Sequence, residues 1–204
     1  MVKSSHLHRT AKLKLSVDEA STWLARQLDE TQKFDLQIPT RSDGSTYEIH
    51  HCMPDQLEVV TRVMEHARSV MEGNTNADRT LRLTVAGCAG SGKSTVINTI
   101  VTALRRMFQI NEVVHVFAPT GSAAFNAGGE TVHRGFQLPK IHRTLDLSAE
   151  KTKNLAQKFN RTIAVIVDER SMLDATMFGA MESHCRQSLR AAGRDQPRTK
   201  LHTP

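Results

Sequence analysis

The stretch Gly87-Cys88-Ala89-Gly90-Ser91-Gly92-Lys93-Ser94-Thr95 constrains this chain more than any other. Two glycines with four residues between them, followed by Lys and then Ser, form the pattern of a loop that cradles phosphates. Upstream, Leu81-Arg82-Leu83-Thr84-Val85-Ala86 reads as a short strand, and downstream Val96 to Leu104 places apolar residues at helical spacing. Strand, glycine loop and helix together turn backbone N–H groups and the positive end of a helix dipole toward a polyphosphate. Lys93 adds a mobile cation for the β and γ phosphates, and the Ser94 hydroxyl can ligate Mg²⁺. A structural turn that meets the pattern by chance is the competing reading, and the flanking strand and helix weigh against it.

At 204 residues the chain has room for one domain with a core and a small appendage. No run approaches the roughly 18 apolar residues of a membrane span, and the N-terminus lacks the apolar centre of a secretory signal, so an intracellular protein is expected. Three cysteines, Cys52, Cys88 and Cys185, show no metal-ligand spacing and are expected to be reduced thiols. The formal net charge of +6 suits a polyanionic partner such as nucleic acid, although a surface kept basic for solubility accounts for it equally well. Aromatics make up only 4% of the residues, which argues against a broad base-stacking platform.

Residues 1–15 are basic without an acid and read as a tail. Ser16 with Glu19 three residues later forms a capping box for an amphipathic helix to about Leu28. Residues 35–52 read as loop, with a short strand suggested at Tyr47-Glu48-Ile49. Pro54 opens a second amphipathic helix that ends by Gly73. Strands are expected at Glu112–Ala118 and Thr162–Val167, with helices at Glu150–Phe159 and Met172–Ala192. Alternating strands and helices imply a parallel α/β sheet. The expected organisation is an N-terminal extension over residues 1–50 and an α/β nucleotide-binding domain over 51–204.

The last strand runs into Asp168-Glu169. An acid at the carboxyl end of a buried strand can hold the Mg²⁺ shell, and a second beside it can polarise water. Between that pair and the glycine loop lies Ala118-Pro119-Thr120-Gly121-Ser122-Ala123-Ala124, then Gly128-Gly129 and Thr131-Val132-His133-Arg134-Gly135-Phe136. Its glycines and short hydroxyls fit close approach to a phosphate backbone, and fit an ordinary turn-rich loop as well.

Those residues carry a resemblance. Thr-Gly-x-Ala-Ala, paired glycines and Thr-x-His-x-x-Phe in order are similar to the second motif of superfamily 1 DNA helicases of the Pif type (petite integration frequency), including Helitron-like helicases. The glycine loop resembles that family's first motif, Asp168-Glu169-Arg170-Ser171-Met172 its Asp-Glu-x-Ser-Met motif, and Pro54-Asp55-Gln56 its glutamine motif. Arg170 departs from the usual aliphatic residue. The resemblance spans residues 54–197 and implies a RecA-like P-loop fold, a three-layer parallel sheet with helices on both faces, of which only a part is present.

The same resemblance assigns Gln56 to the adenine edge, Gly87, Cys88, Ala89, Gly90, Ser91, Gly92, Lys93, Ser94 and Thr95 to the phosphates, and Ser94 and Asp168 to Mg²⁺. Glu169 takes the hydrolytic water, and Thr120, Gly121 and His133 line a path for single-stranded DNA. ATP, Mg²⁺ and single-stranded DNA are the implied ligands; in a eukaryote the nucleus or mitochondrion is the expected location, with roles in DNA repair, recombination and telomere maintenance implied by the resemblance. Such helicases continue into a Gly-Asp-x-x-Gln-Leu-Pro motif and a second RecA-like domain. Residues 186–197 resemble the approach to that motif and 198–204 do not, so a truncated or frame-shifted gene is expected. A P-loop phosphotransferase and a non-catalytic nucleotide- or DNA-binding fragment are the alternatives.

Overall fold

The computed structural model describes residues 35–72, 81–139 and 147–192. The expected helix of residues 16–28 lies outside them. Three parallel strands form the sheet: β1 (Val114–Ala118), β2 (Glu130–Thr131) and β3 (Ala164–Val167), in the spatial order β2-β1-β3. In β1, side chains alternate between faces, and each face builds a separate core. Val114 and Val116 join one core with Val60 and Met64 of α1 (Pro54–Met71) and Val96, Ile100 and Leu104 of α2 (Lys93–Phe108). Phe117 joins the other with Val132, Phe136, Leu155 of α5 (Ala149–Lys158) and Met181 of α6 (Ala175–Ala191). Helices therefore cover both faces, the three-layer α/β/α arrangement expected of a RecA-like P-loop fold in part.

The long helices follow their sequence signals. Proline occupies the first turn of α1, where a missing N–H costs nothing, and Val60, Met64 and Ala67 form its buried stripe. Ser148 accepts from Lys151 N at 3.3 Å to cap α5, and Asp174 accepts from Met177 N at 2.6 Å to cap α6. Helix α6 starts later than expected because Arg170–Met172 forms a separate 3₁₀ turn.

Two expectations need correction, and one open alternative closes. Leu81–Ala86 forms no strand and pairs with none among the described residues, and Leu81, Leu83 and Val85 are exposed. Strand β1 already has a neighbour on each side, and the resemblance puts a further strand between residues 81–86 and β3. Among the described residues nothing occupies that position, so the outer edge of β3 is open as well. Tyr47–Ile49 is not a strand; an isolated bridge pairs Thr40 with Thr46, and Ile49–His51 forms a 3₁₀ turn. Residues 119–136 are not simply loop, since they contain α3 (Gly121–Asn126), β2 and α4 (Val132–Gly135).

Residues 35–52 lie against the far end of α2. The Asn111 side chain accepts from Gln37 N at 2.7 Å and donates to Asp35 O at 3.1 Å, while Arg106 pairs with Glu48 at 2.8 Å. Burial opposes ionisation of Glu48, but hydrogen bonds from Thr46 and Arg106 prevail and hold its carboxyl below the ordinary value.

Candidate functional site

Gly90 and Gly92 sit in the left-handed region, at φ 78° and 79°, and turn the loop into the start of α2. No side chain caps that helix, so its first N–H groups face outward for an anion. Lys93 Nζ donates to Gly87 O at 2.9 Å and Cys88 O at 3.0 Å, folding the cation over the loop it would share with a phosphate. Ser94 is exposed at the same helix end. These features fit a nucleotide polyphosphate with its metal: a backbone cradle, one mobile cation and one free hydroxyl.

Gln56 reaches this loop from α1. Its Oε1 accepts from Met53 N at 3.0 Å and its Nε2 donates to Ser91 O at 3.0 Å. A β-carbon at Gly92 would meet that Nε2, which shows how closely Gln56 approaches the loop, and the left-handed φ of 79° is what favours glycine there. The structure thus brings Gln56 together with the phosphate loop.

The other candidates gather at the carboxyl ends of the parallel strands. Phe117 is in register with Val167, Ala118 with Thr131, and Asp168 N donates to Phe117 O at 2.8 Å. Thr131, Ala118 and Asp168 therefore share one line across the sheet, about 10 Å wide for three strands. Catalytic and ligand groups of open parallel sheets collect at this edge. Asp168 is half-buried and its Oδ1 accepts from Glu169 N at 2.9 Å. Glu169 is exposed and left-handed, at φ 51°, a strained conformation for a residue with a β-carbon. Among the described residues no hydrogen bond or ion pair joins Lys93 or Ser94 to Asp168 or Glu169.

Thr120 follows β1 and caps α3, its Oγ1 accepting from Ala123 N at 3.2 Å. The hydroxyl expected to face DNA is thus also structural, while Gly121 beside it is exposed. His133 is exposed on α4, two residues beyond the register line. Sequence reasoning missed what holds α4. Lys158 of α5 pairs with Glu130, reaches Gly135 O at 3.4 Å, and lies 5.2 Å from the centre of the Phe117 ring. His184 of α6, fully buried, bonds through Nδ1 to Phe136 O at 2.7 Å. No motif marks Lys158 or His184; helical spacing alone shows that they share elements with core residues.

Burial, and then the charge of Lys158, push the His115 imidazole below its ordinary range, and burial pushes the Cys185 thiol up to about 11. Among the described residues no helix is long and apolar enough to cross a membrane, and no group of three His, Cys, Asp or Glu could hold a metal by itself. Any Mg²⁺ here would share its ligands with a nucleotide.

Comparison with known proteins fits this geometry. The chain is 30% identical over 131 residues to the ATP-dependent DNA helicase RRM3 of Saccharomyces cerevisiae, covering 63% of this chain and 18% of that protein. It is 26% identical over 175 residues to the ATP-dependent DNA helicase PIF1 of Emericella nidulans, covering 84% and 22%. To the ATP-dependent DNA helicase PIF7 of Trypanosoma brucei brucei it is 32% identical over 145 residues, covering 65% and 14%. The chain thus spans about a fifth or less of the length of these relatives, and no solved structure matches it. The PIF1-like helicase family matches residues 55–198, a range that includes the phosphate loop, the Thr120–Phe136 segment and the Asp-Glu pair; the chain belongs to that family.

Proposed function

We propose that this chain is a nucleotide-binding motor half of a DNA helicase, taking ATP with Mg²⁺ at the glycine loop and single-stranded DNA across the carboxyl ends of β1 and β2. The observation that carries the reading is the uncapped, glycine-shaped start of α2 with Lys93 folded over it, on the same chain as the Asp168-Glu169 strand end. The loop N–H groups and Lys93 would hold the phosphates, Gln56 would turn from Ser91 toward the adenine edge, and Ser94 and Asp168 would hold Mg²⁺. The metal, when bound, would neutralise charge developing on the β and γ oxygens. Glu169 would polarise the attacking water. Thr120, Gly121 and His133 would contact the DNA backbone, which carries no sequence information, so binding is expected to be non-specific and salt-dependent. DNA repair, recombination and telomere maintenance, in the nucleus or mitochondrion of a eukaryote, are the roles that follow.

A narrower reading, binding of ATP and DNA with turnover near background, is favoured for residues 1–204 alone by the unpaired Leu81–Ala86 segment, which leaves the phosphate loop untied to the sheet. The resemblance places the arginines that face the γ phosphate in a second domain, and such an arginine contributes about 10³ to 10⁵ in rate. Calorimetry with ATP and Mg²⁺ tests the site. Lys93→Ala removes a charge-assisted contact of about 1.5–3 kcal/mol and should weaken binding on the order of 10- to 150-fold; equal affinity in both proteins would sink the assignment. Turnover of several per second by residues 1–204 with single-stranded DNA would overturn the narrower reading.

A further inference from the structure

Phe125 is 85% exposed on α3, in a protein whose other described phenylalanines, Phe108, Phe117, Phe136, Phe159 and Phe178, all lie in or against the two cores. Its ring makes no contact with another ring among the described residues, whereas Phe117, Phe136, Phe159 and His115 stack together. Exposure alone would mean little, since single surface apolar residues are common. Position gives it meaning. On a helix, residues three and four apart share a face, and Phe125 lies three beyond Ser122 and four beyond Gly121, both exposed. Ala124, its neighbour, is buried, so α3 has one face packed and the other carrying Gly121, Ser122 and Phe125 outward.

That outward face is built of very small residues beside one large flat ring. Gly128, in the left-handed region at φ 62°, and Gly129 follow it and are exposed, so no bulky side chain in the turn screens the ring. Gly129 is pressed against the backbone carbonyl of Val116, where a β-carbon would collide, and this ties the end of the α3 turn to β1. The short helix that carries the ring is therefore anchored at its end to the sheet. A nucleobase has two flat apolar faces and needs only such a surface, whatever its identity.

We infer that Phe125 is a base-stacking contact for single-stranded DNA, holding one nucleobase while Thr120, Gly121 and His133 hold the backbone. The inference rests on the DNA path proposed above. One ring in that path suits a strand read without sequence preference, because every base offers the same stacking face. The low aromatic content suits an isolated contact of this kind better than a broad platform.

The test compares two labelled strands of about 12 nucleotides, within the usual site size of such grooves, at low salt by fluorescence anisotropy. One is oligothymidylate and the other has the same phosphates but abasic sugars. Phe125→Ala should weaken the thymidylate complex about 5- to 100-fold, as loss of one stacked base does, and leave the abasic complex unchanged. Phe125→Tyr should keep wild-type affinity, and Phe125→Leu, apolar but not flat, should bind as poorly as the alanine variant. Because the ring is exposed, all three variants should melt with the wild type. If Phe125→Ala binds thymidylate as tightly as wild type, or loses equally on both strands, the stacking role is overturned while the DNA path stands. If the wild-type chain binds neither strand, the path and the stacking role fall together.

Discussion

At the scale of single residues, the phosphate loop was legible because its backbone requirement is written in residue type: Gly90 and Gly92 are left-handed and nothing else adopts that conformation as freely. Glu169 shows the opposite case, since nothing in a glutamate announces a φ of 51°. Its strain is held by the strand end on one side and the Arg170–Met172 turn on the other. Asparagine tolerates that region better, so Glu169→Asn should raise stability by about 0.5–1 kcal/mol in chemical denaturation, even as it removes the carboxylate assigned to water. His115 is a second residue whose state only the structure reveals. Burial and Lys158 depress its pKa below the ordinary 6.5, so the fold favours the neutral ring. That contribution is intact above 6.5 and is lost as pH falls from 6.5 through the folded value, because the unfolded chain then takes up the proton first. Melting curves between pH 7.5 and roughly pH 5 should show a loss of stability that His115→Gln reduces.

At the scale of elements, the long helices were readable to within a few residues, since an apolar stripe, a first-turn proline and capping groups all act locally. The failures are elements whose existence depends on distant partners. Helices α3 and α4 and strand β2 contain six, four and two residues, too few for periodicity to register. They are shaped by Gly129 against the Val116 carbonyl, Gly135 against the Phe117 ring, and Lys158 against Glu130. Lys158→Ala should therefore cost about 1–2 kcal/mol, leaving a half-buried Glu130 without its closest cation and removing the ammonium from the Phe117 face. Because α4 carries His133, affinity for single-stranded DNA should fall in the same variant; an unchanged affinity in a destabilised protein would show that α4 is placed by other contacts. Leu81–Ala86 fails for a related reason. Its residues suit a strand, but a strand is a relation between two segments, and no described segment pairs with it.

For the whole molecule, the open side of the sheet is the main liability. Val165 is 45% exposed on β3, whose outer edge is unpaired among the described residues, and Leu83 and Val85 are exposed nearby in sequence to the phosphate loop. Unpaired edges recruit other strands, and a lysine on such an edge opposes this. Val165→Lys should lower light scattering of concentrated protein on warming while changing stability by less than about 0.5 kcal/mol, the usual range for surface changes. The order of the strands has a further consequence, which concerns synthesis. Strand β1 organises both cores, yet both of its partners come later in the chain, and Val167 lies 49 residues beyond Ala118, taking 167 − 118. Ribosomes add about 5–20 residues per second, so β1 waits roughly 3 to 10 seconds for its second neighbour. During that interval α1 and α2 are available to cover one face, and nothing covers the β3 side. Slow codons between positions 118 and 167 would lengthen the wait without changing the folded product, which makes yield in cells sensitive to the message as well as to the protein it encodes.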